Sequence, residues 1–238
     1  MTVGGIGRVD ERPWDGYIDK LKTVGAPDEP VARLHEILSF LCSNERRQAH
    51  NPFVVVLDVK DDQSLLILDE LKAVLSGFPA WHSVLKIYLG VWRQDFALHA
   101  RQVFSPADGL ILTLIADEVD LPTVQSSLYD AFNLDVERVT EEVVQEAAKL
   151  GKDVLLWTCN SEDQIKRAKA LNIQGILTDN PLLINWRVLV NWDNVIVSWD
   201  YQKKYIASYC TYYIYSTHSV HYVRHSLSFF SKFLNFSL

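Results

Sequence analysis

Asp58 and Lys60 stand two residues apart at the end of Phe53-Val54-Val55-Val56-Leu57-Asp58-Val59, a nearly unbroken apolar and β-branched run. In a strand this spacing returns both side chains to one face. A carboxylate and an ammonium group so placed can engage a charged ligand together. Taken alone, an Asp-x-Lys at a strand end reads more simply as a solvated terminus. Trp157 and Asn160 close a second strand-like run, Lys152 to Thr158. Asn160 reads first as a cap for the helix that follows, and Asp179, before Asn180-Pro181, as a turn residue. Cys159 has no partner histidine placed by the sequence and reads as a small residue at a strand end. His218, His221 and His225 have metal-ligand spacing, but no carboxylate lies near them and they carry no metal site in this reading.

The elements around these residues alternate two periods. Val31, Leu34, Ile37, Leu38 and Leu41 recur at helical spacing, so Pro30 to Ser43 is expected to be an amphipathic helix. The run from Phe53 suits a strand covered on both faces. A helix over Gln63 to Gly77 follows, then strands at Val84 to Trp92 and Gly109 to Ala116 with a helix at Gln94 to Val103 between them. Val124 to Phe132 reads as a short helix. Thr140 caps a helix with Glu141 and Glu142 in its first turn. Ser161 and Gln164 have the spacing of a capping box, and Gln174 to Thr178 is a last short strand.

Strand–helix alternation over this length implies parallel strands with helical crossovers, in an open doubly wound sheet or a closed barrel. Either would place a site at strand ends carrying Asp58, Lys60, Trp157 and Asn160. No Gly-rich phosphate loop follows any strand, which weakens a nucleotide-binding reading. With a net charge of −7 and a pI near 5.5, the chain has no basic surplus for nucleic acid, and no such partner is expected. Its three cysteines, Cys42, Cys159 and Cys210, give neither a disulfide framework nor a zinc site, which fits a reducing compartment. Met1 to Gly7 lack the features of a signal peptide. An intracellular protein is expected, cytoplasmic or peripheral on membranes.

From Lys203 to Leu238 there is no Asp, Glu, Gly or Pro, while Tyr, Phe, Ser and His crowd together. Two readings are open for this tail: an interfacial membrane segment, or an aberrant terminus such as translated intron. The abrupt change in composition favours the second. The domain boundary is therefore drawn with a barrel domain at 1–186 and a peripheral or aberrant tail at 187–238.

Three stretches, in order, resemble one family. Val56-Leu57-Asp58-Val59-Lys60 is similar to the acid-x-Lys strand of the glycerophosphodiester phosphodiesterases. Gly151-Lys152-Asp153-Val154-Leu155-Leu156-Trp157-Thr158-Cys159-Asn160 resembles their Trp-Thr-x-Asn strand. Leu171-Asn172-Ile173-Gln174-Gly175-Ile176-Leu177-Thr178-Asp179-Asn180-Pro181 resembles their Thr-Asp-x-Pro end. Pro13-Trp14 through Leu41 is also similar to the fungal branch that includes phosphatidylglycerol-specific phospholipase C. The resemblance runs from about Arg12 to Pro181.

The resemblance implies a TIM-type (β/α)8 barrel of the phospholipase C-like phosphodiesterase kind. It implies hydrolysis of a phosphoric diester, in glycerophosphodiesters or phosphatidylglycerol, with a divalent metal (Mg or Ca). In that reading Asp58 is a metal ligand and Lys60 the catalytic, phosphate-facing lysine. Trp157 and Asn160 would bind substrate, with membrane-surface contact possible. The family's His-Arg-Gly, Glu-x-Asp and His-Asp segments have no match here, and His35, His50, His82 and His99 lack their flanking residues. The barrel is accordingly expected to be incomplete, missing its first one or two strand–helix units, and the chain to be a weakly active or inactive fragment. The alternative is a non-catalytic, barrel-derived binding or scaffold protein.

Overall fold

A computed structural model describes residues 15–20, 32–43, 53–60 and 64–179, together with two-residue strand segments at 2–3, 22–23 and 196–197. The first two segments, β1 (Thr2–Val3) and β2 (Lys22–Thr23), form a small antiparallel pair. After α1 (Leu34–Leu41) comes the main unit. Its elements are β3 (Phe53–Val59), α2 (Leu66–Ser76), β4 (Leu85–Val91), α3 (Gln94–Val103) and β5 (Ile111–Ala116). They continue as α4 (Leu121–Gln125), β6 (Ala131–Asp135), α5 (Glu141–Lys149), β7 (Asp153–Trp157), α6 (Glu162–Ala170) and β8 (Gly175–Thr178).

The seven-stranded sheet runs β3-β4-β5-β6-β7-β8-β9, all parallel, where β9 is Ile196–Val197. Each strand lies beside its predecessor. A doubly wound sheet reverses strand order at a switch point, and this one does not, so of the two architectures open to the sequence it is the barrel kind. Register confirms the curl. The row Asp58–Gly90–Thr113–Ala131–Asp153 begins near the end of β3 and finishes at the first residue of β7. That is the stagger that closes sheets into barrels. Lys86 and Tyr88 of β4 both reach Asp153 of β7, at 2.9 and 2.6 Å. On a flat sheet, strands three places apart and staggered in this way would hold these residues on the order of 15–20 Å apart. The sheet is a curled half-barrel.

Alternation along the strands divides the faces. Leu57, Leu89, Leu114, Leu134 and Leu156 face outward and are buried. They form one core with the apolar stripes of the helices, for example Leu68, Leu71 and Leu75 of α2 and Val143, Val144 and Ala147 of α5. The inner face carries the polar residues Asp58, Tyr88, Thr113, Asn133 and Asp153. β3 and α3 fall where the hydrophobic pattern placed them.

One expected element is overturned. Val124 to Phe132 is not a helix: α4 occupies Leu121–Gln125, and a strand begins at Ala131. Asp120 caps α4 through Thr123 N (3.0 Å), with Pro122 in its first turn. The strand's alternation, Phe132 and Leu134 outward against Asn133 and Asp135 inward, is only five residues long. It is held by pairing to β5 and β7 on both sides, so tertiary context overrides a weak local pattern. Thr140 caps α5 as the sequence implied, its Oγ1 accepting from Val143 N.

The boundary drawn at residue 186 meets one described segment beyond it: Ile196 and Val197 pair with Leu177 and Thr178. The remainder of 187–238 lies outside the described residues. No helix among the described residues is long and apolar enough to cross a membrane.

Candidate active site at the strand ends

Asp58 and Lys60 meet where β3 ends. Lys60 Nζ donates to Asp58 Oδ2 at 2.5 Å. The opposite oxygen, Oδ1, accepts from Trp92 Nε1 at 2.8 Å. Trp92 follows the last residue of β4, so two adjacent strands present the pair. Lys60 Nζ also stands 5.3 Å from the centre of the Trp92 ring, where a cation is attracted by the ring quadrupole. Asp58 is only 7% exposed. A buried charge needs partners, and here an ammonium and an indole N–H supply them.

Trp157 enters from β7. Its ring packs edge-on to Trp92, with centroids 5.8 Å apart and planes at 64°, the arrangement aromatic quadrupoles prefer. Its Nε1 donates to the backbone oxygen of Asn133 at 3.0 Å. Asp58, Lys60, Trp92 and Trp157 thus form one continuous chain of contacts along the rim. A half-buried ammonium beside two indole faces can hold an anionic group against an apolar or hydroxylated one.

Asn160 lies apart from that chain. Its Nδ2 donates to Asp179 Oδ2 at 2.8 Å, and its Oδ1 accepts from Asp179 N at 2.9 Å and Thr178 Oγ1 at 3.2 Å. The side chain ties the β7–α6 turn to the end of β8. It does not cap α6; that cap is Ser161, whose Oγ accepts from Gln164 N. The return half of the expected capping box is shifted by one residue, since Gln164 Oε1 accepts from Asn160 N at 2.8 Å.

Cys159 is fully buried, and burial, followed by the charges of Glu137 and Asp135, pushes its thiol up to about 12. It is a packing residue, as its lack of a partner suggested. The described histidines stand elsewhere: His35 packs on Phe78, His82 lies against Trp81, and His99 meets Asp69 at 2.8 Å. His50, His218, His221 and His225 lie outside the described residues.

Among the described residues no group of three or more His, Cys, Asp or Glu side chains could hold a metal ion. Asp58 is a single carboxylate with both oxygens already accepting hydrogen bonds. The described residues by themselves therefore do not make a divalent-cation site, which needs several oxygen ligands.

Trp92 at the rim and Asn133 on the inner face were not singled out from the sequence. Trp92 occupies a position equivalent to that of Trp157, at the end of a strand, and that placement was the available signal. Asn133 was hidden because the start of its strand fell in the stretch Val124 to Phe132 that reads as helix.

A sequential parallel half-barrel with its charged and aromatic residues gathered at the C-terminal ends of the strands belongs to the TIM-type class, where sites sit on that face. Residues 20–183 match the profile of the glycerophosphoryl diester phosphodiesterase family. The chain belongs to that family. Among solved structures, it is similar to a protein from Silicibacter pomeroyi DSS-3 assigned to the same family, with a TM-score of 0.53 and 22% identity. The likeness covers 68% of this chain and 57% of that one, and at this identity it speaks for the fold alone. The chain thus spans little more than half the length of that relative. No curated protein matches it.

Proposed function

We propose that this chain binds a glycerophosphodiester, placing the phosphate at Lys60 and the alcohol portion against Trp92 and Trp157, as part of a phosphoric diester hydrolase of lipid metabolism. The observation that carries this reading is the convergence of Asp58, Lys60, Trp92 and Trp157 at one rim of a half-barrel of this family. Lys60 has three N–H donors, one of them on Asp58, which leaves donors for phosphate oxygens. Asp58 aims the ammonium and offsets its charge. Given further ligands from outside the described residues, it would also be one ligand of a divalent cation such as Mg or Ca. Asn160 supports the rim through Asp179 and Thr178. The likeness of Pro13 to Leu41 to the phosphatidylglycerol-specific branch supports phosphatidylglycerol as the phospholipid.

Turnover by the 238-residue chain is low in this reading. The described rim holds no histidine, and loss of a general acid or base typically costs about 10²- to 10⁴-fold in rate. A barrel-derived binding protein without catalysis is the second reading, and the same rim composition favours it. Two measurements test these ideas. In titrations with glycerol 3-phosphate, Lys60→Met should weaken binding at least about tenfold, the scale of a charge-assisted hydrogen bond. Equal affinity in wild type and K60M would remove Lys60 from the site. Release of glycerol 3-phosphate or diacylglycerol, assayed with Mg or Ca present, separates slow turnover from none. A rate typical of family enzymes would refute the low-turnover reading.

A further inference from the structure

Asn133 is 2% exposed, and its Oδ1 has no hydrogen-bond partner among the described residues. Buried side-chain oxygens nearly always have one, and an unpaired acceptor at this depth is costly. Its neighbours on the inner face do not supply it. Thr113 Oγ1 donates to Ile111 O at 3.1 Å, Trp157 Nε1 to the carbonyl of Asn133 itself, and Trp92 Nε1 and Lys60 Nζ to Asp58. Register puts Asn133 on the same face as Asp58, by way of Gly90, Thr113 and Ile115. The indole of Trp157 links it to the rim.

We propose that Asn133 Oδ1 accepts a hydrogen bond from a free hydroxyl on the alcohol portion of the bound phosphate ester. Asn133 then distinguishes a glycerol-type ester from one whose alcohol lacks a hydroxyl. A quaternary ammonium headgroup has no hydrogen to give to this oxygen. The inference rests on the phosphate site proposed for Lys60 and adds the group that reads the alcohol. Sites built to accept a hydroxyl discriminate strongly against analogues without one, because the acceptor is then left unpaired.

The test is equilibrium binding to the full 238-residue chain by calorimetry, with two probes: glycerol 3-phosphate and n-propyl phosphate. Wild type should prefer glycerol 3-phosphate by about five- to a hundredfold, the range for one buried acceptor. Asn133→Leu should abolish the preference by weakening glycerol 3-phosphate alone, leaving n-propyl phosphate binding unchanged. Circular dichroism checks that the variant is folded; if it is not, Asn133→Ala, which removes the acceptor, is read in its place. Equal binding of both probes by wild type overturns the inference and leaves the phosphate site standing. So does a preference that survives in N133L or N133A. A chain that binds neither probe overturns the phosphate site, and the role of Asn133 with it.

Discussion

Replacing Gly90 with alanine should destabilise the half-barrel, although the same change usually stabilises an extended chain. Gly90 sits between Asp58 and Thr113 in the register. A Cβ at this position would stand 2.5 Å from Ile115 Cδ1, 3.0 Å from Ile115 Cγ1 and 3.3 Å from the Leu57 carbonyl oxygen. Ile115 is 2% exposed and cannot swing into solvent. Overpacking of this kind costs about 1–3 kcal/mol, against about 0.4–1 kcal/mol gained from a less flexible unfolded chain. The net loss is about 1.3 kcal/mol at the midpoints of these ranges and at most about 2.6 kcal/mol. At about 2–4 °C per kcal/mol for a chain of this size, Tm falls by about 3–5 °C at the midpoint and by at most about 10 °C. The assay is thermal and urea unfolding of G90A, I115V and the double variant. Trimming Ile115 to Val removes the methyl nearest the new Cβ and alone costs about 0.5–1.5 kcal/mol. The double variant should be more stable than the sum of the singles by at least about 0.5 kcal/mol. A neutral G90A, or strictly additive effects, would refute the packing argument.

The remaining predictions concern other parts of the fold. Burial first, and then the hydrogen bond and charge of Asp153, hold the Tyr88 phenol well above its ordinary value near 10. The folded chain keeps this proton where the unfolded chain releases it. The contribution is therefore intact below pH 10 and is lost as pH rises beyond, by up to about 1.4 kcal/mol per unit. Urea unfolding at pH 9 and pH 11 should show a steeper loss for wild type than for Tyr88→Phe, and equal slopes would contradict it. The thiols of Cys42 and Cys159, both buried, should resist an aromatic disulfide reagent at pH 8 until denaturant is added; rapid labelling of Cys159 in the folded chain, read by peptide mass, would show that it is not enclosed. Thr140→Ala removes the acceptor for Val143 N and should cost about 1 kcal/mol, with Thr140→Ser restoring most of it in the same unfolding assay.

Legibility followed the length and purity of each pattern. Phe53–Val59 and Gln94–Val103 could be read to the residue because one is an unbroken apolar run and the other a full amphipathic stripe. Asp58 and Lys60 were legible as a pair because residues two apart along a strand share a face. Ala131–Asp135 was not, since five residues with two polar members satisfy no template strongly. The strand exists because two neighbours pair with it. Losing that strand also hid Asn133, whose significance lies in lacking a partner, a property no sequence displays. Trp92 and Trp157 are far apart along the chain, and only the curl of the sheet brings them together. The three-part family resemblance succeeded for a different reason: it depended on order and spacing across strands, not on any one segment.

Lys86, Tyr88 and Asp153 draw β4 and β7 together across the inside of the curve, in the N-terminal halves of those strands. The rim residues Asp58, Lys60, Trp92 and Trp157 lie at the opposite ends. Curvature is thereby fastened at one end of the molecule and recognition is displayed at the other. Residues at the open mouth are free to change identity, by natural drift or by engineering, without loosening the clasp that shapes the trough below them. A substitution in the clasp has the reverse character: it touches no ligand, yet it alters the spacing of every group at the mouth at once.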